Sequence, residues 1–288
     1  MRFRRPRSAP AVMAVAERFG RDLELCLAQV ARIVAAARER EASLVVLPES
    51  TLGGYLYEPH LAGAPLPCAP PPALDRDGEE IARVARLAGD VVVCLGYTEQ
   101  APGGPYSSAV CVNGDGILGH HRKVHVPPAE RGAFGAGSGF AAFDTPIGRI
   151  GMLVCYDKTF PEAARQLALD GAGLIASLAA WPICRVDPAT LVRRDLQVRH
   201  FNLLDQTRAL ENQVVWVSSN QVGRFGRLRF PGQAKVVDPR GRVLARTGAR
   251  AGAALARVDA PGVVARARDR VSYLDDRRPL AYAEPVGA

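Results

Sequence analysis

Short, unbroken apolar runs constrain this chain more than any other feature. Leu44-Val-Val-Leu47, Val91-Val-Val-Cys-Leu95, Gly151-Met-Leu-Val-Cys155 and Leu174-Ile-Ala-Ser-Leu178 are the clearest. They are too short for buried helices and lack the alternation of a half-exposed strand, so they read as strands covered on both faces. Val214–Ser218 is a similar run, and residues 10–16 form a weaker first strand. Between them, residues 21–40 set Leu23, Leu27, Val30, Val34 and Ala37 at helical spacing among Arg and Glu. That pattern predicts an amphipathic helix with one buried face. Further helices are expected at 78–88 and 161–170, with a long one from about Pro188 to Asn212. Turn signals at Asn113-Gly-Asp-Gly116 and Asp238-Pro-Arg-Gly241 predict two hairpins. A last strand is expected at 253–258, followed from residue 266 by a basic and then irregular tail. A purely parallel doubly wound sheet has no place for hairpins, so the pattern implies sheets of mixed direction covered by helices.

The net charge of +8 suggests a polyanion partner, but its distribution argues against one. Arginines alternate with acids along most of the chain, and the one tight cluster is Arg2, Arg4, Arg5 and Arg7. Residues 1–9 therefore read as a solvated basic tail, 10–280 as a single domain, and 281–288 as a second tail, with residues 65–72 a proline-rich surface connection. No nucleic acid is expected as partner, and no apolar stretch approaches membrane-spanning length. The cysteines at 26, 68, 94, 111, 155 and 184 show neither C-x-x-C pairing nor zinc-ligand spacing. They read as reduced thiols of a cytoplasmic protein with no metal and no cofactor. Of 37 basic residues only Lys123, Lys158 and Lys235 are lysines. That scarcity singles them out, because arginine cannot act as a compact ammonium of adjustable pKa.

Chemistry collects at strand ends. Cys155 closes one apolar run, a polar turn follows, and Pro161 and Glu162 open a helix. A thiol there is either a buried structural cysteine or a nucleophile whose oxyanion nearby backbone N–H groups would meet. Glu49 closes Leu-Val-Val-Leu-Pro, and Lys123 closes His120-His-Arg-Lys. Taken singly, a helix cap and a surface ammonium explain those two equally well. All three at strand ends are harder to dismiss.

Leu47-Pro-Glu49-Ser, Arg122-Lys-Val-His-Val-Pro127 and Cys155-Tyr-Asp-Lys-Thr-Phe-Pro-Glu162 together resemble the carbon–nitrogen hydrolase (nitrilase) superfamily. Arg208-Ala-Leu-Glu-Asn212 and Lys235-Val-Val-Asp-Pro-Arg-Gly241 extend the likeness. The resemblance implies a four-layer α-β-β-α sandwich carrying a Glu–Lys–Cys triad. Cys155 would be the nucleophile and Glu49 the general base. Lys123 and the Tyr156 N–H would stabilise the tetrahedral intermediate, and Glu130 would be the second glutamate of amidase-like members. It also implies a homodimer or larger homo-oligomer. Tyr156-Asp157 after the cysteine resembles amidases and carbamoyl hydrolases, whereas true nitrilases typically carry Trp-Glu. The expected reaction is hydrolysis of a small-molecule amide through a thioester. N-carbamoyl hydrolysis, nitrile hydrolysis, acyl transfer to an amine and a degenerate binding module are the alternatives. Tyr55, Phe134, Tyr156 and Trp181 are candidates for the substrate pocket. Phe134-Gly-Ala-Gly137 departs from the family's usual Phe-x-Pro-Gly, and Glu17 stands near a common glutamine. Lys158 reads as a solvated lysine. His121 and His125 admit a rival Cys–His dyad that would leave the Glu and Lys motifs unexplained.

Overall fold

The computed structural model describes residues 9–56 and 70–282. The basic N-terminal cluster, Cys68, most of the proline-rich connection and residues 283–288 lie outside them. In chain order the elements are β1 (Ala11–Glu17), α1 (Leu23–Glu39), β2 (Ala42–Val46), β3 (Ala73–Leu74), α2 (Glu79–Ala88), β4 (Val92–Ala101), β5 (Gly104–Asn113), β6 (Gly116–Arg122), β7 (Phe143–Thr145), β8 (Gly148–Val154), α3 (Pro161–Leu169), β9 (Leu174–Ala179), α4 (Leu196–Asn212), β10 (Val215–Phe225), β11 (Leu228–Pro231), β12 (Lys235–Val237), β13 (Val243–Arg246), β14 (Gly252–Arg257) and α5 (Ala260–Arg268). A 3₁₀ turn, Cys155–Thr159, links β8 to α3.

The main sheet path runs β6-β5-β4-β2-β1-β10-β9-β8-β7. Strands β4, β2, β1, β10, β9 and β8 are mutually parallel, and antiparallel strands flank them at both ends. The path folds over so that its two halves face each other across one inner core, in which Val12, Leu44, Val92 and Cys111 meet Ile150, Met152, Ala176 and Val217. Helices α1 and α2 cover the outer face of the first half, and α3 and α4 that of the second. This is the expected four-layer α-β-β-α sandwich. Period-two alternation explains the unbroken apolar runs. Leu44 and Val46 of β2 enter the inner core while Val45 enters the outer one. Both faces of such a strand are interior, so neither tolerates polar residues.

Three expectations need correction. The helix predicted from Pro188 begins at Leu196. Asp195 Oδ1 accepts both the Gln197 N–H, as a helix cap, and the Cys184 N–H, each at 3.0 Å. The cap thus straps the preceding loop to the helix start. Strand β10 runs past Asn220 to Phe225 and turns into β11, a hairpin that lacks an Asn-Gly type signal. The tail expected from residue 266 begins inside a helix, α5, with Pro261 in its first turn and Asp259 accepting the Gly262 N–H at 3.2 Å.

Candidate active site

Because β2, β6, β8 and β9 run in the same sense, their C-terminal ends share one edge of the sandwich. Glu49, Lys123, Cys155 and the pair Ala180-Trp181 follow those four ends. Glu49 and Lys123 are fully buried, Glu130 is 1% exposed and Cys155 6%.

The Lys123 ammonium lies 2.8 Å from Glu49 Oε1, and 2.8 and 2.7 Å from the two Glu130 oxygens. Ser107 Oγ also donates to Glu49 Oε1, at 3.0 Å, and the Ala180 N–H donates to Oε2 at 2.8 Å. The Glu49 carboxylate is therefore fixed by partners from three segments. Its backbone is fixed as well, since Gln221 Nε2 donates to the Glu49 carbonyl at 3.0 Å. Gly96 permits this close approach. A Cβ there would stand 2.6 Å from the Ser50 nitrogen and 2.7 Å from Glu49 Cα. Tyr55 donates a short hydrogen bond to Glu130 Oε1.

Burial by itself would lower the Lys123 pKa, but Glu130 and Glu49 outweigh it and hold the ammonium charged. Burial raises the Glu130 pKa against the pull of Lys123. Burial also raises the Cys155 thiol well above its ordinary value; Glu49 and Glu130 raise it further, while Lys123 opposes them. Cys155 is thus favoured as a thiol, and to attack a carbonyl it would need a base to take its proton.

Cys155 has φ +48°, a left-handed conformation that is strained for a residue with a side chain. It opens the 3₁₀ turn, so the Tyr156 N–H has no acceptor within that helix and is available to an oxyanion. Asp157, two residues on, is fully buried. Its Oδ1 accepts the His125 N–H and faces His125 Nδ1, both at 2.9 Å, and its Oδ2 faces His121 Nε2 at 3.0 Å and accepts the Val154 N–H at 3.2 Å. Burial would raise the pKa of this carboxyl, yet the bonds from His121 and His125 leave it well below the usual carboxylate range. Asp157 thereby ties the residues two before and two after Lys123 to the residues on either side of Cys155. The histidines of the rival dyad are paired with this carboxylate.

Of the pocket candidates, Tyr55 touches Glu130 and stacks edge-on against Phe230, with ring centroids 5.9 Å apart. Phe134 packs on the same small cluster of Tyr55, Leu56, Phe225 and Phe230. Trp181 is 8% exposed and donates Nε1–H to Gln197 at 3.0 Å. Tyr156 is half-buried, edge-on to Phe160 at 5.3 Å. Lys158 is not solvated. It is fully buried, bonded to Asp205 at 2.9 Å and seated 3.1 Å from the Phe201 ring centroid. Helix α4 supplies both partners, a contact that local sequence could not reveal. Sequence reasoning also missed Ser107, the Ala180 N–H and the bracing by Asp157. Asp157 did carry a signal, a carboxylate two residues from the cysteine, but it was read only for specificity.

Among the described residues no group of three or more His, Cys, Asp and Glu side chains is arranged to hold a metal ion, and no helix is long and apolar enough to cross a membrane. Residues 13–268 match the carbon–nitrogen hydrolase family profile. The chain is 33% identical over 245 residues to an (R)-stereoselective amidase of Pseudomonas sp., covering 85% of this chain and 82% of that one. It is 32% identical over 216 residues to a nitrilase of Pyrococcus abyssi, covering 74% and 75%. Its fold resembles that of an amidase variant from Nesterenkonia sp. AN1, with TM-score 0.75, 22% identity and 98% of each chain covered. That variant carries the acetamide moiety of fluoroacetamide added covalently at its active-site cysteine.

Proposed function

This chain belongs to the carbon–nitrogen hydrolase family, and from that premise we propose that it hydrolyses small-molecule amides through a thioester on Cys155. The observation that carries the reading is the buried Lys123 ammonium bridging Glu49 and Glu130 at 2.7–2.8 Å on the strand edge that also presents Cys155. Glu49 takes the proton from Cys155 Sγ as sulfur attacks the amide carbonyl. The oxyanion that forms meets Lys123 and the Tyr156 N–H. When the C–N bond breaks, Glu49 returns the proton to the departing amine or ammonia. It then deprotonates the water that cleaves the thioester, which releases the acid and regenerates the thiol. Glu130 holds Lys123 and Tyr55 in place for both halves of the cycle. Tyr55, Phe134, Tyr156 and Trp181 shape the acyl pocket. Residues 10–280 act as one catalytic domain that needs no cofactor.

Self-association belongs to the same proposal. Leu196, Leu203 and Leu210 recur every seven residues on α4 and are 49%, 62% and 42% exposed. Cytoplasmic residence is also proposed, in keeping with five described cysteines that are all free thiols. A screen for ammonia release from amides, N-carbamoyl compounds and nitriles tests the reaction. Amide turnover supports the reading. Activity on N-carbamoyl compounds or nitriles without amide turnover moves the assignment to those branches.

A further inference from the structure

All three lysines of this arginine-rich chain are buried, and two of them lie outside the Glu49–Lys123–Glu130 cluster. Lys158 Nζ meets Asp205 Oδ1 at 2.9 Å, and Lys235 Nζ meets Oδ2 at 2.5 Å. The Trp216 indole N–H adds a bond to Oδ1 at 2.9 Å. Lys158 lies 3.1 Å and Lys235 4.1 Å from the Phe201 ring centroid, and Lys158 lies 5.2 Å from that of Trp181. Two lysines share one carboxylate, with Lys158 and Asp205 fully buried and Lys235 2% exposed, so with both lysines protonated the cluster holds one positive charge in excess. Burying such a charge is costly, and a neutral pair would satisfy Asp205 equally well.

The cluster's position suggests why the charge is kept. Cys155 and Lys158 are the first and fourth residues of one 3₁₀ turn. Side chains three apart in that helix eclipse, separated along the axis by about 6 Å. Arg208 locks the turn onto α4 by donating to the Lys158 and Thr159 carbonyls, each at 2.9 Å. Glu49 and Glu130 both bond to the single ammonium of Lys123, two carboxyl groups to one lysine.

We propose that Lys158 and Lys235, joined through Asp205, are positioning residues whose net positive charge behind the Cys155 turn draws negative charge from Glu49 onto the cysteine sulfur. The inference rests on Cys155 being the nucleophile. As the S–H bond breaks and the proton passes to the Glu49 carboxylate, total charge is unchanged, but the negative charge moves onto Cys155, a group whose charge Lys158 feels. Glu49, Lys123 and Glu130 act electrostatically on Cys155, and Tyr55 feels its charge. Asp205, Arg246 and Cys155 are the charged or titratable groups felt by the two lysines. Burial depresses both lysines, Lys158 to about 8, and the Asp205 carboxylate opposes that depression.

The test is the rate at which iodoacetamide alkylates Cys155 at pH 7, read by peptide mass spectrometry in wild type, Lys235→Met, Lys158→Met and Lys235→Arg. It needs no substrate, so it stands apart from any failure of the amide screen. Either methionine variant leaves a neutral lysine–aspartate pair and should alkylate about tenfold more slowly, the scale expected for one unit charge at this range in a protein interior. Lys235→Arg should recover most of the wild-type rate. A folded methionine variant that alkylates at the wild-type rate overturns the proposal, as does an arginine variant slowed as much as the methionine one. Should the methionine variants not fold, wild-type protein labelled with ¹³Cε-lysine decides, since the chain has only three lysines to resolve. Ammonium resonances for Lys158 and Lys235 at pH 7 uphold the proposal, and a neutral amine at either position refutes it.

Discussion

Replacing Asp157 with asparagine perturbs the brace between the Lys123 strand and the Cys155 turn while changing almost no volume. The carboxylate faces four groups, two on each oxygen, at 2.9–3.2 Å. An amide keeps one acceptor oxygen. Whichever way it turns, its NH₂ confronts a backbone N–H, that of Val154 or that of His125. Hydrogen bonds to a charged group are each worth about 1.5–3 kcal/mol, and a stranded buried donor costs about 1–3 kcal/mol. Allowing for relaxation, a loss of about 3 kcal/mol is expected, which lowers the melting temperature by about 6–10 °C. The same change frees Lys123 to drift relative to Cys155, so kcat should fall by roughly a hundredfold while KM changes little, as for a misplaced catalytic group. The pH dependence follows from the depressed Asp157 pKa. A carboxyl with a folded pKa below its unfolded value stabilises the fold above the unfolded value, near 4, and loses that contribution as pH falls toward the folded one. The wild-type advantage over Asp157→Asn should therefore be full at pH 6–7 and shrink progressively below about pH 4. Calorimetry from pH 3 to 7 with steady-state kinetics at pH 7 measures both effects. A variant with unchanged melting temperature and kcat within twofold of wild type would refute the bracing argument.

Other substitutions probe the same site. Cys155→Ala should abolish turnover and the acyl adduct seen by intact-protein mass spectrometry, and an adduct surviving on another cysteine would move the nucleophile elsewhere. Glu49→Gln should slow acylation by about a hundredfold or more, the scale of general-base catalysis; rapid-quench measurement of thioester formation checks this. Gly96→Ala adds a methyl group against Ser50 N and Glu49 Cα. It should cost about 1–3 kcal/mol by overpacking and displace the Glu49 carboxylate, so denaturant melts and kcat should fall together. Tyr55→Phe removes the donor to Glu130. It should leave the fold intact and reduce kcat, with urea denaturation as the control.

The sequence by itself determined which segments are strands covered on both faces, and it singled out the candidate reacting groups. Unbroken apolar runs such as Leu44–Leu47 mean a strand buried on both faces wherever they occur, and Asn113-Gly-Asp-Gly116 turns a chain regardless of what surrounds it. Placing Glu49, Lys123 and Cys155 at strand ends needed only those local patterns. What the tertiary structure decided is how distant segments meet. The Glu49 carboxylate is completed by Ser107, Lys123 and the Ala180 N–H, up to 131 positions away. Pairings of that kind leave no periodic trace in the sequence. The start of α4 followed the same rule. Helical spacing continued back to Pro188, but Asp195 held the loop through the Cys184 N–H and capped the helix seven residues later. Lys158 shows the difference most plainly. In sequence it is a polar residue in a polar turn, free to be solvated. In the fold α4 and β12 close over it, and it is buried beside Asp205, Lys235 and Phe201.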